Sequence, residues 1–184
     1  MTRAVGTIAL RGNAARGFVG TTDRGFIDIL GNAGGVELGT FAANGTSTDS
    51  LFRVSDGDVG SFTVLRFESS DLLVGFRPVK GSDTTLAPSA ANWSVTNQKI
   101  GAFTTTAPFD PADPADSASF VDSYVVAAIL GTVSLSGVYP TDPSAAAFRA
   151  GAGATAKGTV TVHGGPALAP GDADRAFHFL GLLG

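Results

Sequence analysis

Hydrophobic and polar positions alternate in short runs along this chain, and Gly, Asn and Asp punctuate the runs. Val5–Leu10, Gly25–Leu30 and Gly34–Phe41 read as the first strands. The alternation is imperfect in the second, where Phe26, Ile27, Ile29 and Leu30 surround Asp28. Leu51–Val54, the turn Ser55-Asp-Gly-Asp58 and Phe62–Glu68 predict a strand, a tight turn and a strand. Apolar residues on both faces of Phe62–Glu68 suggest burial on two sides. Leu72–Val79 continues the pattern, and Pro78 pushes that piece toward an edge. Trp93–Val95 and Ile100–Thr106 supply two more short strands.

Ala107–Asp116 is the strongest break, since Pro108, Pro111 and Pro114 cannot donate to a ladder and favour extended backbone. Beyond it, Phe120, Val121, Tyr124, Val125, Ala128 and Ile129 fall at helical spacing, which predicts a helix over 117–130. Thr132–Tyr139 reads as a strand. Asp142 as cap, Pro143 at the first helical position, three alanines and Gly151 as stop predict a second helix over 142–150. Thr159–Val162 alternates as a strand. No internal repeat of solenoid length is visible. The expectation is a mainly β chain: an antiparallel β-sandwich or barrel with one or two short helices and long Gly/Pro-rich loops. It forms one domain over 1–184, with 107–116 as the place where a subdomain break would fall.

Composition narrows the chemistry. There is no cysteine, histidine occurs only at His163 and His178, and glutamate only at Glu37 and Glu68. His is the side chain best matched to proton transfer near neutral pH, and Cys the most nucleophilic at rest. The remaining acids are Asp set among Gly, Ser and Thr, where turns are their usual work. Charged residues make up 15% of the chain, against roughly 25% in an average soluble domain. A surface so poor in charge is covered by Ser, Thr and Gly or hidden against a partner. Net charge −4 with nine scattered arginines and three lysines disfavours nucleic acid, which needs clustered cations. The longest apolar run, Tyr124–Leu130, is too short for a membrane helix. Residues 1–16 hold no continuous apolar stretch of the signal-peptide kind, so synthesis in a cytoplasm is expected.

Specific motifs fail in detail. Gly151–Thr159 is glycine-rich around Lys157, but Ala156 and Gly158 flank the lysine where a phosphate loop needs Gly and Ser/Thr. Counting from Asp56 as an EF-hand loop puts Ser61 at the sixth position and Phe67 at the twelfth, so the register is wrong. Asp110, Asp113 and Asp116 line one edge of an extended segment and read as solvated acids, with a cation at a subunit contact as the alternative. No catalytic, cofactor-binding or metal residue is assigned, and an Asp-based hydrolase is the distant third reading.

The C-terminal tail is more suggestive. Phe177, Phe179, Leu180, Leu182 and Leu183 are apolar where termini usually fray, and they are the candidate partner contact. In general character the chain resembles bacteriophage virion proteins: acidic, cysteine-free, rich in Gly, Ala, Thr and Ser, and β-dominated. That resemblance implies a non-catalytic structural protein of the virion, first a capsid decoration protein, with a tail or fibre component next. It implies self-association and a protein lattice, such as a major capsid protein, as partners, and no cofactor. The rival from another class is a secreted or surface-layer β domain whose Asp-rich loops bind calcium.

Overall fold

A computed structural model describes residues 5–11, 20–29, 35–75, 98–110, 112–138, 147–152, 159–162, 173–174 and 177–182; for 114–115 and from 147 onward the backbone alone is described. The chain winds in successive coils, and each coil lays one strand on each of up to three sheets. The first coil holds β1 (Val5–Leu10), β2 (Thr22–Asp23) and β3 (Phe26–Ile29). Next come β4 (Val36–Ala43), β5 (Thr46–Thr48) and β6 (Leu51–Val54), then β7 (Asp58–Val64), β8 (Arg66–Glu68) and β9 (Asp71–Val74). The fourth coil is β10 (Lys99–Thr105), a one-turn helix α1 (Pro114–Ser117), β11 (Phe120–Val121) and β12 (Tyr124–Ala127). The chain then adds β13 (Ile129–Leu135) and β14 (Ala147–Ala152), and finally β15 (Thr159–Val162), β16 (Ala173–Asp174) and β17 (Phe177–Leu182).

Strand order proves the winding. The first sheet runs β1-β4-β7-β10-β13-β15, the second β2-β5-β8-β11, and the third β3-β6-β9-β12-β14-β17-β16. Every pair is parallel except β16 with β17. The molecule is a parallel β-helix.

This overturns the expected antiparallel sandwich or barrel. Short strands closely spaced between turn residues are shared by both architectures, and alternation within a strand does not reveal what the strand pairs with. The helix expected over 117–130 is also absent: those residues end α1 and then form β11, β12 and the start of β13. Two corners cause the false period. Asp122 and Ser123 turn the chain between β11 and β12, and Ala128 turns it into β13, so the apparent helical stripe mixes two faces: Phe120 and Val125 join the main core, whereas Ala128 and Tyr124 belong to the outer cluster. Of the helix expected over 142–150, residues 147–150 lie in β14 and the rest are outside the described residues. The expected strand Trp93–Val95 lies outside them as well.

The missed repeat is a six-residue strand of the first sheet. Val5-Gly-Thr-Ile-Ala-Leu10, Leu38-Gly-Thr-Phe-Ala-Ala43, Val59-Gly-Ser-Phe-Thr-Val64, Ile100-Gly-Ala-Phe-Thr-Thr105 and Leu130-Gly-Thr-Val-Ser-Leu135 stack in register. Their fourth residues point inward and form a column: Phe41 stacks on Phe62 with centroids 4.4 Å apart, and Phe62 on Phe103 at 5.6 Å. Phe52, Phe67 and Phe120 meet that column, largely edge to face, from the other two sheets. All six rings are buried. Stacked and T-shaped pairs of this kind add about 0.5–1.5 kcal/mol each beyond burial.

The glycine of the motif is demanded by close approach. A Cβ on Gly101 would lie 2.5 Å from the carbonyl oxygen of Gly60, and Gly39, Gly60 and Gly131 each meet the glycine carbonyl of the preceding coil in the same way.

In the four described coils that carry it, the corner from the second to the third sheet is two residues long. Its first residue is left-handed in all four: Arg24 (φ 49°), Asp49 (φ 47°), Ser69 (φ 44°) and Asp122 (φ 43°). Its second is Gly25, Ser50, Ser70 or Ser123. The three serines are buried and build a ladder along the axis. Ser50 Oγ accepts from Gly25 N–H, Ser70 Oγ from Ser50 N–H and Ser123 Oγ from Ser70 N–H, each at 3.0 Å. Each hydroxyl also donates to the carbonyl two residues before it, at 2.7–2.8 Å. Buried amides at the corner are thereby satisfied where the sheets break.

Candidate interaction surface

Alternation about the inward Phe column sends the neighbouring side chains of the first sheet outward. These are Thr7 and Ala9, Thr40 and Ala42, Ser61 and Thr63, Ala102 and Thr104, and Thr132 and Ser134. Over five coils every such position is Thr, Ser or Ala. Thr159 and Thr161 take the same register positions on β15. Strand spacing sets the rows about 4.7–4.9 Å apart, and alternate residues along each strand lie about 6.5 Å apart. The result is a flat grid of small side chains without charge. Ser61 Oγ donates to Thr40 Oγ1 at 3.2 Å, so part of the grid is tied across coils. At one side a shallow groove of about 410 Å³ runs along Leu10, Arg11, Ala42, Asn44, Thr63 and Thr106.

Charge sits at the borders. Lys99 Nζ lies 3.9 Å from a carboxylate oxygen of Asp58, whose other oxygen accepts from Lys99 N–H. On the outside of the third sheet, Arg53 forms a two-point ion pair with Asp28 and lies over the Phe26 ring, 5.6 Å from its centroid. Leu73, Val126 and Ala128 form a small buried cluster beyond that sheet, with Leu51 and Tyr124 against it. Asp71 shares a register column with Leu51 and Tyr124. Burial pushes its carboxyl up to about 6, against a smaller opposing pull from a hydrogen bond with the Tyr124 backbone.

The residues singled out from sequence are scattered. Asp56 and Gly57 belong to the bend between β6 and β7, where Gly57 has φ 154°. Asp110 accepts from Ala112 N–H at 2.9 Å and Asp113 from Asp116 N–H at 3.4 Å, so both carboxylates are used on their own turn. Ala112 and Asp113 therefore turn the chain into α1, so the acids do not line a uniformly extended edge. Among the described residues no three His, Asp or Glu side chains converge as metal ligands. Phe177, Phe179, Leu180 and Leu182 lie on β17, whose backbone docks in parallel on β14 of the same chain. His178 is on that strand too, whereas Leu183 and His163 are outside the described residues.

Sequence reasoning missed the grid altogether. Its signal was the pattern apolar-Gly-small-apolar-small, visible once the strands are aligned on glycine. No protein-family model, curated protein or solved structure matches the chain.

Proposed function

We propose that this chain is a non-catalytic assembly component of a virion, a decoration protein on a capsid lattice or a piece of its tail or fibre. One observation carries the reading: the uncharged Thr/Ser/Ala plane of the first sheet. A flat face without long side chains loses little rotamer entropy when covered, and it has no charge to desolvate. Each small contact is weak, but a lattice repeats the contact many times, and occupancy stabilises the assembled state by mass action. The low overall charge supports the same reading. Calcium binding at the Asp-rich turns is less well supported, because the Asp110 and Asp113 carboxylates already serve backbone amides.

The test uses particles purified from the source of the chain. Quantitative mass spectrometry should find the chain at many copies per particle. A triple variant, Thr40→Lys, Thr63→Lys and Thr104→Lys, should stay folded by circular dichroism and lose co-purification with the particles. Absence of the chain from particles, or full retention of the triple variant on them, would overturn the proposal.

A further inference from the structure

Among the described residues nothing requires Gly6 to be glycine. At Gly39, Gly60, Gly101 and Gly131 the missing Cβ makes room for a carbonyl of the preceding coil. Gly6 occupies the same column, opposite Gly39 in the β1–β4 register, yet no described atom lies within 4 Å of where its Cβ would stand. Among the described residues the seat is built and empty.

The rest of β1 fits an unfilled seat. It ends the first sheet, and Val5–Leu10 contains neither charge nor proline, the usual protections of an edge strand. Val5, Ile8 and Leu10, with Ile27 and Ile29 of β3, are only partly buried, whereas Leu38, Phe41 and Val59 in the coils beyond are covered. At the opposite end of the same sheet stands β15, paired among the described residues to β13 alone. Gly158 precedes it in sequence, as Gly6 precedes Thr7. On the third sheet, β16 folds back on Phe177 and His178 and covers part of the β17 edge, which leaves the first sheet to carry a joint.

We propose that copies of this chain associate end to end, β15 of one copy adding in parallel to the open edge of β1 in the next. The register that pairs Thr132 with Thr159 then places Thr159 opposite Thr7 of the neighbour, Val160 opposite Ile8 and Val162 opposite Leu10. The contact is heterologous, so it generates an open series rather than a closed dimer. It repeats the coil-to-coil contact inside the chain and is independent of what the outer Thr/Ser/Ala face binds.

Sedimentation of the full chain over a range of concentrations tests this. Wild type should grow into dimers, trimers and longer species. Gly6→Val should weaken association at least tenfold with an unchanged melting temperature at high dilution. Because the chain lacks cysteine, Thr7→Cys and Thr159→Cys can be made in separate preparations; mixed and oxidised, they should form the mixed disulfide, since in-register neighbours stand within disulfide reach. The Thr40/Thr63/Thr104 lysine variant should still self-associate, which separates this proposal from the lattice reading. A wild type that is monomeric at every concentration refutes it. So does a Thr7→Cys homodimer that forms faster than the mixed species, because that would mean head-to-head pairing.

Discussion

Replacing Gly101 by Ala inserts a methyl group into the contact between the third and fourth coils. Its Cβ would stand 2.5 Å from the Gly60 oxygen and 3.4 Å from the Gly60 carbonyl carbon. Relieving the closer contact to an ordinary carbon–oxygen distance requires the strands to part locally by about 0.5–1 Å. An N–H···O bond of about 2.9 Å stretched by that much passes out of hydrogen-bonding range. Two ladder bonds beside the glycine weaken, each worth about 1 kcal/mol, and the overpacking itself costs about 1–3 kcal/mol. Reduced freedom of the unfolded chain returns about 0.4–1 kcal/mol. The net loss is about 3 kcal/mol, a fall in melting temperature of roughly 6–12 °C for a chain of this size. Gly6→Ala is the control, with the same motif and the same chemical change but open space. It should leave stability unchanged or slightly raised. Thermal melts followed by circular dichroism at high dilution compare the two directly. Equal melting temperatures for Gly101→Ala and Gly6→Ala would show that the glycine column does not set the coil spacing.

Asp71 ionises only near pH 6 when folded and near 3.8 when unfolded, so stability from this group is greatest below about pH 4 and falls as pH rises toward 6. Asp71→Asn should remove that slope and stabilise the chain at pH 7 by up to about 3 kcal/mol, read from urea unfolding at pH 4 and pH 7; equal effects at both pH values would contradict the burial argument. Ser70→Ala leaves the Ser50 amide without its acceptor inside the corner and should cost about 1–3 kcal/mol, with faster hydrogen exchange at Ser50. Unaltered exchange there would show that the ladder is incidental. Deleting 177–184 removes β17 from β14 and should lower the melting temperature, while a truncated chain that melts like the full one would make the tail idle.

Much of the strand content was legible. Val5–Leu10, Leu51–Val54 and Thr159–Val162 coincide with strands, and Ile100–Thr106 misses β10 by one residue at each end. The pairing was not. Phe62–Glu68 reads as one strand, but Leu65 is a corner between β7 and β8, and a corner that reverses no chain direction leaves no hairpin signature. The repeat hid because its period varies: Gly6, Gly39, Gly60, Gly101 and Gly131 stand 33, 21, 41 and 30 residues apart. A search at constant spacing cannot find it, whereas alignment on the glycine does. The outer face was invisible for a related reason. Single Thr and Ala residues carry no signal until several strands are laid side by side.

The two-residue corner explains how such uneven spacing is tolerated. Long stretches enter elsewhere: between β1 and β2, between β9 and β10, and between β10 and β11. None enters between the second and third sheets, where a left-handed residue and a buried serine occupy fixed places in the described coils that carry this corner. One residue added at that corner would turn the following strand inside out, placing the outward positions of β9 or β12 in the Phe core. Twenty residues added between coils change nothing inside them. For protein engineering the molecule is therefore a ruler with blank margins. Foreign peptides can be grafted at the long connections, at heights set by the coil they follow, while the serine corner keeps the scale.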